Sequence, residues 1–333
     1  MSSHIAIVGV TGAVGRELLR ILEERRFPIA SLRPLASARS AGTTVPFRGE
    51  DITVQELTDD SFVGIDIAFF SAGGGVSRQF APPAVEAGAI VIDNTSAFRM
   101  KPGIPLVVPE VNPQALRRHP GLIANPNCST ILMNVAVWPL HQKFRVKRIV
   151  VSTYQSVSGA GQQGIAELEA QQRARAGGSA IEPKLFPYPI IDNLFCHNSA
   201  IDGSGYNEEE RKMVQETRKI FDAPDLAITA TCVRVPVPRA HCESVNLEFA
   251  QPVTPQQARE LLGRSPGVRL VDDAERNTFP MPILASGQDD VLVGRIRQDT
   301  SIAGGRGIDL FLAGDQIRKG AATNAVQIAE KLL

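Results

Sequence analysis

The chain is poor in the residues that staple small proteins and in charge of either sign. Its 333 residues include four cysteines, one tryptophan and three tyrosines. Cys128, Cys196, Cys232 and Cys242 form no CxxC pair and have no disulfide-like spacing, which excludes a cysteine-stapled scaffold and fits a reducing compartment. Thirty-five Lys and Arg balance 35 Asp and Glu, so nothing draws the chain to nucleic acid or to an anionic membrane. No apolar run approaches the roughly 18 residues of a membrane helix. Met-Ser-Ser-His runs directly into a strand, so no signal peptide is expected. Repeats, low-complexity tracts and long linkers are missing too. The expectation is a cytoplasmic, globular protein of two domains that works on small molecules, with no metal, membrane or nucleic acid.

What is present begins with a phosphate cradle. His4-Ile5-Ala6-Ile7-Val8 reads as a buried parallel strand. Gly9-Val10-Thr11-Gly12-Ala13-Val14-Gly15 follows, then a helix with Val14, Leu18, Ile21 and Leu22 on one face. Strand, glycine turn and helix are the context in which a pyrophosphate meets backbone N–H groups. The spacing is GxxGxxG, not GxGxxG, so the motif leans on its position and on the further βα units behind it. The second strand ends in Leu35-Ala36-Ser37-Ala38-Arg39-Ser40, which offers no carboxylate for a ribose 2′-hydroxyl. Arg39 and Ser40 suit a 2′-phosphate, so NADP is expected over NAD; the plain alternative is a solvated loop arginine. Residues 65–75 look like another strand ending in a glycine turn. Residues 89–93 form a further strand, running into a loop that carries Arg99. Ligands gather at the carboxyl ends of such strands, which suits Arg99 to an anion, although a surface arginine is the default.

The strongest chemical signal is Asn125-Pro126-Asn127-Cys128-Ser129-Thr130, between an apolar strand at 121–124 and an apolar helix at 131–140. A cysteine near a helix N-terminus meets unpaired N–H groups and the positive end of the dipole, which favour a thiolate. That is what a covalent catalyst needs. A buried structural cysteine is the bland alternative.

From about residue 145 the pattern changes to long strands at 146–158, 226–236, 242–250, 291–297 and 308–313. Helical candidates lie at 164–176 and Glu208–Phe221, and one last helix at 315–332 is expected to return to the first domain. The fold class is therefore α/β: a Rossmann-type domain, 1–127 plus 315–333, with an α+β domain, 128–314, built on a large mixed sheet. Of five histidines, His4, His119, His141 and His197 fall in a strand start, a turn, a helix and a polar loop. His241 directly follows a strand and is the best acid/base partner for a thiolate by elimination. Cys242 beside it reads as core.

Gly9–Gly15, Pro126-Asn127-Cys128-Ser129-Thr130, Ser156-Val157-Ser158-Gly159-Ala160-Gly161, and Arg234-Val235-Pro236 leading to His241 occur in one order. Together they resemble bacterial aspartate-β-semialdehyde dehydrogenases over residues 4–332, most thinly over 177–206. The resemblance implies reversible, NADP-dependent reductive dephosphorylation of L-aspartyl-4-phosphate to L-aspartate 4-semialdehyde, on the route to lysine, threonine, methionine and isoleucine. It implies Cys128 as the nucleophile that forms an acyl-thioester, His241 as acid/base and Gln155 as the residue that orients substrate. Arg234 would clamp the α-carboxylate and Glu209 would meet the α-ammonium. Arg99, Asn127 and Lys212 would hold phosphate. For the cofactor it nominates Gly9, Thr11, Gly12, Ala13, Val14, Arg39, Ser40, Ser71, Ser158, Gly159 and Asn324. A homodimer or a dimer of dimers is implied as well.

Two rivals stay open. One keeps the architecture with another substrate, as in N-acetyl-glutamyl-phosphate reductase, whose cysteine motif reads closer to Gly-Cys-Tyr-Pro-Thr; an acyl-CoA substrate is a related option. The other is a catalytically silent paralogue that binds cofactor, whose signature would be loss of Cys128, His241 or Arg234. All three are present.

Overall fold

The computed structural model describes residues 2–333 and divides into two compact units. One comprises the chain up to Asn127 together with Ala321–Leu333; the other is Cys128–Gly320. The C-terminal segment thus joins the first unit at Ala321, later than the expected residue 315.

In the first unit, β1 (Ser3–Val8) leads through Gly9 into α1 (Ala13–Glu24), and β2 (Ile29–Ala36) follows. A hairpin of β3 (Thr44–Phe47) and β4 (Glu50–Thr53) precedes β5 (Gln55–Glu56), β6 (Ile67–Phe70), α2 (Gly74–Glu86), β7 (Ile90–Asp93) and β8 (Leu122–Ala124). The sheet runs β5-β2-β1-β6-β7-β8, and every pairing in it is parallel. A parallel sheet is covered on both faces, which is why β6 is apolar throughout and every one of its residues is buried. Leu18, Ile21 and Leu22 of α1 share one core with Val326, Ile328 and Ala329 of the C-terminal helix, and Phe62, Phe70, Ala81 and Ala84 build the core on the opposite face. The chain leaves β1 toward β2 and later returns to β6 on the other side of β1. The sheet therefore opens a ligand crevice at the carboxyl end of β1.

Two glycines make that crevice. Gly9 has φ of 84°, in the left-handed region that L side chains avoid. Gly15 packs so closely that a Cβ would lie 2.3 Å from the Gly9 carbonyl oxygen.

The second unit opens with α3 (Cys128–Phe144), which is apolar all round and therefore buried, packed on the sheet. Then come β9 (Val146–Gln155), α4 (Gln162–Ala176), β10 (Phe195–Cys196), α5 (Glu208–Phe221), β11 (Ala227–Arg234) and β12 (His241–Phe249). They are followed by α6 (Pro255–Leu262), β13 (Val268–Leu270), α7 (Pro282–Ala285), β14 (Val291–Gln298) and β15 (Gly307–Gly314). The seven strands form one mixed sheet, β10-β11-β9-β12-β15-β14-β13, in which β9 pairs parallel with β11 and antiparallel with β12. Fold class is as the sequence implied.

Several boundaries differ. The expected strand 146–158 stops at Gln155, because Ser156 turns into the short helical turn Val157–Ala160 and Val157 N–H bonds to Val237 O instead of a ladder partner. The expected single helix 315–332 is two pieces. Asp315 caps Ile317 N–H and Arg318 N–H, a wide turn closes from Gly320 N–H to Asp315 O, and α8 (Thr323–Glu330) starts afterwards. Glycine in that turn gives the chain a wide loop where an alanine-like residue would have favoured a regular helix.

Candidate active site

Cys128 is the first residue of α3, so the helix begins three residues earlier than its apolar run suggested. It is half-buried, and Gly320 lies so close that a Cβ there would be 2.9 Å from Cys128 Cβ. The other cysteines differ. Cys196 is exposed, burial raises the Cys232 thiol above its ordinary range, and burial pushes Cys242 up to about 12. Cys242 is core, as read.

Adjacent strands deliver the partners in register. Arg234, last in β11, lies beside Gln155, last in β9. Gln155 is buried, and its Nε2 donates to Ser129 Oγ at 2.9 Å and to Glu209 Oε1 at 3.2 Å. Glu209 sits in the first turn of α5, which Asn207 caps by accepting from Glu210 N–H. The other Glu209 oxygen accepts from Lys212 Nζ at 3.3 Å, one turn along, and Lys212 also meets Glu208 Oε1 at 3.2 Å. This is an ordered cluster with one buried end, which the sequence could not separate from a solvated helix pair.

Arg234 is 4% exposed. Its Nη1 donates to Ser156 O at 2.8 Å and its guanidinium lies over the Phe186 ring at 5.8 Å, while Nε is buried with no hydrogen-bond partner. Burial pulls its pKa below the ordinary arginine range, against the opposing pull of Glu209. A buried guanidinium with an open donor edge is built to receive an anion.

His241 does not follow a strand; it opens β12, because the chain turns at Pro236–Ala240 and re-enters the sheet beside β9. It is 1% exposed, and its Nδ1 accepts from Ser156 N–H at 3.1 Å and lies 3.0 Å from Ser156 Oγ. Burial first, then the Arg234 charge, pushes its pKa down to about 3 despite Glu209. Ser158 Oγ stands 3.1 Å from Ser156 Oγ and accepts from Gln316 Nε2. Gly159 passes so near that a Cβ would fall 3.2 Å from His241 Nε2 and 2.9 Å from Arg234 Nη1. Ser129, Ser156 and Gln316 were missed in the sequence; a Ser-x-Ser beside a turn, or a glutamine 75 residues from its histidine, carries no local signal.

The first unit carries its own cavity of about 560 Å³, lined by Gly9, Thr11, Gly12, Ser37, Arg39, Ser40, Ser71 and Ala72. Gly12 is the N-cap of α1 without a side-chain cap, and no acidic residue occupies the first turn, so that helix end is left for an anion. These residues fit a dinucleotide. Glu56, from β5, lines the same cavity and was not anticipated, because strand pairing of Gln55–Glu56 with Leu35–Ala36 brings it to the carboxyl end of β2. Ala13 and Val14 open α1 and are not among the lining residues. Nor is Asn324: it is fully buried, and its Nδ2 donates to Val107 O at 2.9 Å and Asn125 Oδ1 at 2.6 Å. Arg99, also buried, donates to Asn125 O at 2.9 Å and Asn94 O at 2.8 Å, and Asn127 is buried at the end of this unit. Among the described residues no group of three or more His, Cys, Asp or Glu is placed to hold a metal, and no helix is long and apolar enough to cross a membrane.

Comparison with known proteins gives the family. Residues 4–119 match the semialdehyde dehydrogenase NAD-binding domain and residues 137–319 the semialdehyde dehydrogenase dimerisation domain. The aspartate-semialdehyde dehydrogenase of Synechocystis sp. is 57% identical over 99% of this chain and 97% of its own. That of Bacillus subtilis is 48% identical over 99% and 97%. A crystal structure of aspartate semialdehyde dehydrogenase II from Vibrio cholerae complexed with ASA superposes with a TM-score of 0.96 at 46% identity, covering 100% of this chain and 98% of that one. A Candida albicans aspartate semialdehyde dehydrogenase with NADP gives 0.77 at 25% identity, over 100% and 98%. The chain belongs to the aspartate-semialdehyde dehydrogenase family.

Proposed function

We propose that the second unit carries the catalytic residues for reductive dephosphorylation of L-aspartyl-4-phosphate to L-aspartate 4-semialdehyde, with Cys128 as the acyl carrier. The observation that carries this is the convergence of Gln155, Glu209 and Arg234: a buried carboxylate and a buried guanidinium with an unfilled Nε donor suit the two charged ends of an amino acid. Arg234 takes the α-carboxylate, Glu209 the α-ammonium, and Gln155 orients the acyl group. Arg99, Asn127 and Lys212 hold the phosphate, and the Arg99 and Lys212 cations offset the charge of that leaving group. Cys128 thiolate attacks the acyl carbon, phosphate leaves, and the acyl group remains as a thioester on sulfur. His241 serves as the acid/base at the carbonyl oxygen, where negative charge develops.

The chain uses a nicotinamide dinucleotide, which when bound supplies the hydride that reduces the thioester. We assign it as NADP, held by Gly9, Thr11, Gly12, Ala13, Val14, Arg39, Ser40, Ser71, Ser158, Gly159 and Asn324. The Arg39–Ser40 pair in the cavity lining supports the 2′-phosphate, as does the NADP named for the Candida albicans relative. Residues 128–314 serve as the catalytic and dimerisation domain of a homodimer, or of a dimer of dimers.

The test is reduction of NADP by L-aspartate 4-semialdehyde with and without inorganic phosphate. Phosphate-dependent reduction is the expected result. No reduction by a folded, cofactor-binding protein would overturn the assignment, and reduction of N-acetyl-glutamate semialdehyde in its place would move it to the other phosphorylating reductase.

A further inference from the structure

Helix α4 buries a stripe of Gly164, Glu167, Leu168 and Gln171, at helical spacing. Two of these are polar, and burying them costs free energy unless their polar atoms are matched. The match is the backbone of residues 185–191, which forms neither helix nor strand. Pro187 and Pro189 have no N–H, which leaves five N–H groups in that segment. Glu167 accepts from Leu185 N–H and, at 3.4 Å, from Phe186 N–H. Gln171 Oε1 accepts from Ile190 N–H at 2.9 Å and from Ile191 N–H at 3.1 Å, and its Nε2 donates to Glu167 Oε1 at 3.0 Å. The directions are fixed, because backbone N–H groups only donate and the Gln171 amide must turn its oxygen toward them. Two side chains one helical turn apart thus take four of the five N–H groups.

This latch delivers one side chain to the site. Phe186 is buried in a cluster with Val157, Leu168 and Ile190. Its ring centre lies 5.8 Å from the Arg234 guanidinium carbon and 6.0 Å from the Phe195 ring. Phe195 is the register partner of Arg234 across β10 and β11, and Val157 follows Ser156, whose carbonyl takes Arg234 Nη1. The ring is seated among Arg234 and the residues that flank it. An aromatic face attracts a guanidinium yet offers no lone pair, so it holds the cation without consuming an N–H donor. A polar neighbour would consume one. With a ring there, Arg234 is buried and held while its Nε stays open.

We propose, on the reading of Arg234 as the α-carboxylate clamp, that Phe186 is a positioning residue for that clamp and that Glu167 and Gln171 are the latch holding the ring in place. The ring sets where the open edge of the guanidinium points. None of these three residues belongs to the motifs that carry the family likeness, and 185–191 falls in the stretch where that likeness is thinnest.

The test is a double-mutant cycle on the full chain, read as kinetic constants for L-aspartate 4-semialdehyde with dinucleotide and phosphate saturating. Phe186→Leu keeps an apolar side chain and removes the ring. It is expected to raise KM for the semialdehyde about 3–30-fold, with a smaller change in kcat and none in KM for the dinucleotide. In Arg234→Gln, which has no cation for the ring to hold, the same substitution should change kcat/KM less than about twofold. An effect that persists there in full would be general packing and would overturn the proposal, as would an unchanged KM in Phe186→Leu alone. An unchanged KM in Arg234→Gln would overturn the clamp itself, and the positioning role with it. Glu167→Gln tests the latch without touching the ring, and it replaces Phe186→Leu in the cycle if that variant does not fold. Its amide exchanges one acceptor oxygen for a donor, so Leu185 N–H or Phe186 N–H loses its partner. Faster amide deuterium exchange in 185–191 is expected, with the same rise in KM. Exchange as slow as in the parent, or faster exchange with an ordinary KM, overturns the latch.

Discussion

Arg234 is held on one side and open on the other. Nη1 is spent on the Ser156 carbonyl while buried Nε waits for a partner. A lysine could supply the charge but not the two-pronged fork. Arg234→Lys is therefore expected to raise KM for the semialdehyde about 10–100-fold, the worth of a charge-assisted hydrogen bond, with a smaller change in kcat. A mainly kcat effect would show that Arg234 acts on the reacting atoms and not on the carboxylate. Cys128 is the opposite case, a residue whose role is chemical. Serine in its place keeps the helix start but offers an alkoxide that is hard to form and a poor leaving group. Cys128→Ser should lose more than about 10³-fold in turnover with an unchanged unfolding temperature. Near-normal turnover in the folded variant would rule out a thioester.

At the scale of elements, β12 carries both a site residue and an anomaly. His241 and Glu243 lie on the same face of the strand, two residues apart, and Glu243 is fully buried with neither carboxyl oxygen hydrogen-bonded. Burial alone raises its pKa well above 4.5. Below that value folded and unfolded chains both keep the proton. Above it the unfolded chain releases the proton while the folded chain retains it, so stability falls as pH rises, by up to about 1.4 kcal/mol per pH unit until the folded pKa is passed. Glu243→Gln removes the slope. Its denaturation midpoint should exceed that of the parent at pH 8, the gap closing toward pH 4.5. An unchanged slope would mean that Glu243 is ionised in the fold. The βα turn gives a second case: Gly15→Ala places a Cβ 2.3 Å from Gly9 O, so the turn must open. Dinucleotide affinity should fall at least about 10-fold and stability by about 1–3 kcal/mol, read by cofactor titration and melting. Ordinary affinity would mean that the turn does not hold the phosphates.

Such elements also show what a sequence can carry. The β1 turn and the start of α3 were legible because glycine spacing and a helix-start cysteine are local features. Glu208–Phe221 was legible in full, since its acidic first turn and basic last turn mark both ends. Glu56, Ser156 and Gln316 were not, because strand pairing and long-range contacts bring them to their partners. The break before α8 was hidden because its apolar residues keep helical spacing across a turn that a buried aspartate and a glycine impose.

At the scale of the whole molecule, the seven-stranded sheet poses a question of partnership. One face is covered by α3, whereas the other, carried by alternate residues of β9 and β15, presents Tyr154 and Phe311 with ring centroids 6.1 Å apart. Tyr154 is exposed. An antiparallel stretch of sheet can leave one face to water, but water asks for polar residues there, not a pair of aromatic rings. Residues 137–319 match a dimerisation domain, and we propose a second copy of this chain as the occupant of that face. Charges on both rings would repel their own symmetry mates across a two-fold interface and leave buried carboxylates unpaired. The Tyr154→Asp and Phe311→Asp double variant is accordingly expected to sediment as a monomer at concentrations where the parent sediments as a dimer or larger. Dinucleotide binding should survive, because the phosphate cradle belongs to the other unit. A variant that remains dimeric would place the interface elsewhere on the second unit, and a parent that is monomeric would remove the need for a partner on this face.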